Sequence, residues 1–163
     1  MTEEPGLARS DEELFAELYP SLRRFAAAVR AAEEDADDLV QEALARALAI
    51  APLSERENPG AYLRTAIVRL ASNQRRWLAR RRRAFTRAAP APDANQASYP
   101  SDLDDLRRLP PRDRAVLYLS LVEGHAYREI GDVLRCSEQA ARARASRALR
   151  RLRADLREEI ADA

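Results

Sequence analysis

Arg142, Arg144, Arg147, Arg150, Arg151 and Arg153 follow Ser137 with a single acid, Glu138, among them. A second block, from Arg64 to Arg87, holds nine arginines and no acid. The chain has no lysine, so each of these cations is a planar guanidinium. Its forked donors match phosphate oxygens, guanine edges or carboxylates. Like charges at four-residue spacing repel along a helix, and a polyanion relieves that repulsion while releasing counterions. Nucleic acid is therefore the ligand class that both blocks suggest. The plainer readings are a solvated helix face for the first block and a basic tail after Trp77 for the second. Trp77 itself reads as a half-buried anchor rather than a base-stacking residue.

One stretch inverts the charge. "DADDLVQEAL", residues 35–44, carries three Asp and one Glu, and no basic residue lies between Arg30 and Arg46. Asp38, Gln41, Glu42 and Ala45 share one outer helical face at three- and four-residue spacing. Such a face repels DNA. It is either a solvated surface or a docking surface for an arginine-rich protein. Nucleophilic and metal chemistry find little material. The sole histidine, His125, the sole cysteine, Cys136, and Glu123 are the one neighbouring set that invites it. His125 falls in a turn after Gly124, and Cys136 at a helix-turn junction. One cysteine excludes an internal disulfide and a cysteine-rich zinc site. The expectation is no catalysis, no metal and no cofactor.

These residues need helices to present them. Ala, Leu, Arg and Glu dominate, Gly is limited to 4 of 163 residues, and runs of β-branched alternation are absent, so the fold class is all-α. The net charge of +1 hides the segregation. "FTRAAPAPDANQASYP", residues 85–100, has the composition of a flexible linker. It separates a first helical domain, 1–84, from a second, 101–163. In the first, Ser10 and Glu13 form a capping box, and Leu14, Leu18, Leu22, Phe25 and Val29 form an apolar stripe. Pro20 predicts a kink or a new helix start within it. Asp35 caps the next helix, with Val40, Ala43, Leu44, Ala47 and Leu48 facing inward. Pro59 starts a third helix, with Tyr62, Leu63, Ala66, Ile67 and Leu70 on its apolar side. In the second domain, Ser101 caps a short helix, prolines 110 and 111 start another, and Gly124 stops it. "YREIGDVLR", the turn "CS" and the long basic helix after Ser137 form a helix-turn-helix pattern. Gly131 and Ala140 or Ala141 supply the small residues its helices need to approach closely. The N-terminus is acidic and polar, unlike a signal peptide, and no apolar run reaches the roughly 18 residues of a membrane span. The chain reads as cytoplasmic.

In order, "DADDLVQEALARAL", "NPGAYLRTAIVRLASNQRR" and "LRRLPPRDRAVLYLSLVEGHAYREIGDVLRCSEQAARARASRALRRLR" resemble the extracytoplasmic-function (ECF) group of sigma-70 family RNA polymerase sigma factors, from about residue 10 to 157. The resemblance implies a region 2 domain followed by a region 4 domain. It implies that Asp38, Gln41 and Glu42 bind the coiled coil of the polymerase β′ clamp. It implies minus-ten promoter recognition by Arg69, Asn73, Arg75 and Arg76, with the loop around Ser54 to Asn58. It implies minus-thirty-five recognition by Ser137, Gln139, Arg142, Arg144 and Arg147, near the polymerase β flap, and an anti-sigma partner that holds the protein inactive. A stand-alone helix-turn-helix regulator would explain the second domain but leave the first domain and the acidic helix idle.

Overall fold

A computed structural model of the chain describes residues 9–31, 33–86 and 106–161. All the regular structure among these residues is helical. Helix α1, Asp11–Val29, opens with the expected capping box: the Glu13 N–H donates to the Ser10 hydroxyl at 3.2 Å, and the Ser10 N–H to the Glu13 carboxylate at 3.0 Å. One helix runs through Pro20, so of the two expectations there the new helix start does not occur. Pro20 has no N–H for the Ala16 carbonyl, but both residues are exposed. Leu14 and Leu18 before it, and Leu22 and Phe25 after it, pack on one core.

Helix α2, Ala36–Leu48, is capped by Asp35, which accepts from the N–H groups of Asp37 and Asp38 at 2.7 and 3.2 Å. Its buried side is Leu39, Val40, Ala43 and Ala47, while Leu48 stays 43% exposed. Asp37 has a second role. It accepts from the Tyr19 hydroxyl and from Arg23 Nε at 2.8 Å, tying α2 to α1. These donors hold its carboxyl below the usual carboxylate range. The following loop contains a 3-10 turn, Leu53–Glu55, whose Leu53 is fully buried. Helix α3, Pro59–Thr86, begins where Asn58 accepts from the Ala61 N–H at 2.9 Å. It extends two residues into the stretch assigned to the linker. Leu63, Ile67, Val68 and Ala71 pack it against α1 and α2. The rest of that linker and the Ser101 cap lie outside the described residues.

In the second domain, residues 106–108 are helical. Helix α4, Pro111–Leu117, continues as a π-helical turn, Tyr118–Val122, and stops at Gly124, which takes φ 70°. Helix α5, Tyr127–Leu134, and helix α6, Glu138–Ala161, are joined by Arg135, Cys136 and Ser137. Arg135 takes the left-handed conformation, φ 54°. The small residues act as expected in part: Ala141 is fully buried, but Ala140 is exposed. Gly131 is needed for the backbone itself, since a Cβ there would lie 2.6 Å from the Cys136 carbonyl oxygen.

The two domains share one continuous core. Helices α1 and α3 of the first meet α4 and α5 of the second. Phe25 and Tyr118 pack edge to face across this seam, with centroids 5.8 Å apart. Three polar contacts fix its register. Thr65 donates to the Val133 carbonyl at 2.9 Å, and Arg64 pairs with Glu123 at 3.0 Å with both side chains largely buried. Arg114 donates to the carbonyls of Ala28 and Arg30 at 3.3 and 2.8 Å. Burial pushes its guanidinium down to about 10, still charged at neutral pH.

Two outcomes follow. Gly131→Ala should lower stability by about 1–3 kcal/mol, because backbone rather than a movable side chain occupies the space; thermal unfolding followed by circular dichroism measures it. Arg64→Glu should weaken the seam by about 3 kcal/mol, since a buried charge loses its partner. Small-angle scattering should then show an expanded free chain, and adding Glu123→Arg should restore compact dimensions.

Candidate polymerase and promoter interfaces

The N-terminal end of α6 presents its polar side chains outward. Ser137 caps the helix by accepting from the Ala140 N–H at 3.1 Å. Gln139, Arg142 and Arg147 are exposed. Arg142 pairs with Glu138 at 3.0 Å, and its guanidinium lies 4.8 Å from the Tyr127 ring centre. Those contacts orient the side chain at the surface without burying it. Arg144 lies elsewhere. It pairs at 2.7 Å with Asp113, an α4 carboxylate that is almost fully buried, and Arg151 reaches the other oxygen at 3.4 Å. Arg144 and Arg151 are seven residues apart and so share one helix face. That face points toward α4 rather than toward the surface that carries Arg142. The five candidates at this end therefore divide by exposure: Ser137, Gln139, Arg142 and Arg147 are exposed, Arg147 on the side next to Arg144 and Arg151, and Arg144 is an inward clamp. Asp113 was not singled out from the sequence. Its signal was an isolated acid between Arg112 and Arg114.

On α3, Arg69, Asn73 and Arg76 recur at four- and three-residue steps and line one cleft of about 570 Å³. Arg46 of α2 lines it too, and so do Arg112 and Arg135 from the second domain. No acidic residue lines the cleft. Arg112 donates to the Leu134 carbonyl, and Arg76 to Asn73. Arg75 is not part of this group. It lines a separate groove with Arg30, Arg82, Arg107 and Arg114. The 3-10 loop that precedes α3 is anchored by Asp11, which accepts from the Ser54 N–H at 2.9 Å, and by Arg56, which donates to the Ala47 carbonyl at 2.9 Å and lies over the Tyr62 ring at 3.6 Å.

On α2, Asp38, Gln41 and Glu42 are all exposed. Glu42 pairs with Arg46 at 2.7 Å, an exposed pair one helical turn apart. The Asp38 carboxylate has no intramolecular partner among the described residues. Asp38 and Glu42 form one wall of a groove whose other wall is α3. The second domain contributes no residue to that groove. Glu34 lies at its end, where burial raises its carboxyl above the usual range.

Comparison with known proteins gives this arrangement a class. Residues 14–84 match the family Sigma-70 region 2, and residues 106–152 match Sigma-70, region 4. The chain is 33% identical over 159 residues to the RNA polymerase sigma factor CarQ of Myxococcus xanthus, covering 91% of this chain and 90% of that protein. Among solved structures it resembles the sigma factor RpoE of Bartonella quintana, determined in complex with the anti-sigma factor NepR. The TM-score is 0.68 at 25% identity, covering 90% of this chain and 96% of that one. The chain belongs to the sigma-70 family and is an RNA polymerase sigma factor of the ECF type.

The division within α6 can be measured. Arg142→Ala should cost about 1–3 kcal/mol of promoter binding and relax preference at one upstream position, with little change in stability. Arg144→Ala should instead lower the unfolding free energy, because Asp113 loses its nearest cation. Holoenzyme binding to a library of upstream elements, beside chemical denaturation of each variant, separates the two effects.

Proposed function

We propose that this sigma factor docks on core RNA polymerase first, through Asp38, Gln41 and Glu42 on the coiled coil of the β′ clamp, and engages promoter DNA only afterwards. One observation carries this order. Among the described residues the acidic face of α2 is open in the closed chain, whereas the α3 cleft with Arg69, Asn73 and Arg76 is walled by Arg112, Val133, Leu134 and Arg135 of the second domain. A single-stranded minus-ten element would need that wall moved. Arg75, on another side of α3, would meet phosphate of the flanking duplex. The outer face of α6, with Ser137, Gln139, Arg142 and Arg147, would take the minus-thirty-five element near the β flap. Arg144 would support that helix from behind.

In this reading the protein is a specificity subunit without catalysis of its own, working in the cytoplasm beside the polymerase. Among the described residues no helix is long and apolar enough to cross a membrane, and no group of three or more His, Cys, Asp or Glu is placed to hold a metal ion. The structure of the RpoE relative with NepR supports an anti-sigma partner here as well. A stand-alone regulator is the weaker account, since it assigns no role to the unpaired Asp38 or to the groove beside it.

Asp38→Arg with Glu42→Arg should abolish holoenzyme assembly in gel filtration and promoter-specific transcription in vitro, while the thermal transition of the free chain stays in place. Assembly at the original affinity would refute the docking surface. The free chain should bind a promoter duplex weakly, and added core polymerase should make binding tight and specific. Tight, specific binding by the chain alone would favour the stand-alone regulator.

A further inference from the structure

The docking groove contains more than carboxylates. Leu70 and Trp77 stand seven residues apart on α3 and face Asp38 and Glu42 across it. The groove encloses about 550 Å³. Trp77 is 46% exposed among the described residues, and its ring has the Arg81 guanidinium 5.2 Å from its centre. Trp77 is absent from the lining of the arginine cleft that holds Arg69 and Arg76. Asn73 forms the ridge between the two, lining both. The two sides of α3 thus differ in kind. One is polar, arginine-lined and walled by the second domain. The other combines an exposed indole and aliphatic side chains with three acids, Glu34, Asp38 and Glu42, against two arginines, Arg46 and Arg80, and no described residue of the second domain lines it.

We propose that Trp77, with Leu70, is the apolar anchor of the polymerase-docking groove, and that the groove takes a helix of core polymerase bearing an Arg or Lys. This rests on the docking reading given above and adds residues of α3 to it. The occupant follows from the chemistry of the groove. Asp38 is exposed and has no partner among the described residues, so a cation from another chain can pair with it without displacing one of its own. Glu42 already has Arg46, an exposed pair worth little and readily exchanged. An aromatic side chain beside such charges is the usual centre of binding energy in a protein interface: the indole supplies a large area to dehydrate and the flanking charges supply orientation. Base stacking is the competing role for an exposed indole beside arginines, but Trp77 lines the groove that holds Asp38 and Glu42 and not the acid-free cleft that holds Arg69 and Arg76.

The chain has one tryptophan, so 5-hydroxytryptophan incorporated in its place can be excited apart from the tryptophans of unlabelled core polymerase. Acrylamide quenching then reports the exposure of position 77 in the intact holoenzyme. The expected result is a several-fold fall in quenching when core polymerase is added, with no further fall on adding promoter DNA. Trp77→Ala should raise the dissociation constant for core polymerase by about 10- to 100-fold, the range of an interface anchor, and Trp77→Phe should recover part of that loss. Suppose Asp38→Arg with Glu42→Arg abolishes assembly, yet quenching in the wild-type holoenzyme equals that of the free chain. The docking reading then stands and the anchor assignment falls. A fall that occurs only with promoter DNA would make Trp77 a base-stacking residue and overturn the proposal. Assembly unaffected by the charge reversals would remove the docking reading itself, and with it the cation-bearing occupant.

Discussion

Helix α1 ends without a cation of its own in its last turn, and the closed form of the chain depends on how that end is satisfied. The last carbonyls of a helix lack intrahelical donors and carry the negative end of its dipole. Arg114 of α4 supplies the donors, reaching Ala28 and Arg30 from the other domain. A buried guanidinium is costly, and no carboxylate among the described residues pairs with it directly. Carbonyl dipoles carry out that task, and Glu34 adds a longer-range attraction. Around this contact the apolar seam, the Arg64–Glu123 pair and the Thr65–Val133 bond fall into register. The domain interface is therefore a capping arrangement as much as a hydrophobic one.

That interface decides which functional faces are open. It is built from α1 and α3 against α4 and α5, and no described residue of the second domain lines the groove beside the acidic side of α2. Simple charge attraction would have paired the acidic helix with the basic recognition helix, and the chain does otherwise. Arginines instead converge on a cleft between the domains with no acid in its lining. Arg76 and Arg112 find amide and carbonyl oxygens within it, and Arg46 finds Glu42 at its edge. A surface with so many like charges in one cleft is suited to receive an anion, whereas the α2 groove is suited to receive a cation and an apolar side chain.

Much of the local structure was legible in the residues. Ser10 and Asp35 sit before helices and cap them because their short side chains reach the first free N–H groups; Asn58, which does the same before α3, reads in the sequence only as part of a loop. Gly124 and the turn before Ser137 divided the second domain correctly. Of the two outcomes Pro20 allowed, a kink or a new helix start, the second does not occur, because apolar side chains on both sides of it pack on one core. Leu39 and Leu53 were overlooked as core, since burial there depends on how α2 and its following loop lie against neighbours. The candidate promoter residues show the same limit. Arg75 is about a third of a turn from the face shared by Arg69, Asn73 and Arg76, which helical geometry alone implies. That Arg144 is held by Asp113 no spacing could reveal, because the two residues lie on different helices.

The order of amino acids by itself determined the helical class, the capping positions, the separation of acid from arginine and the membership of the sigma-70 family. All of these follow from local propensity, periodicity and motif order along the chain. Tertiary structure alone decided that the two domains share a core, that Arg114 and Arg144 face inward while Arg142 faces out, and that Trp77 lies beside Asp38. These outcomes depend on long-range packing, in which a side chain's partner is chosen by the three-dimensional path of the backbone and by the cost of leaving a buried polar group unpaired.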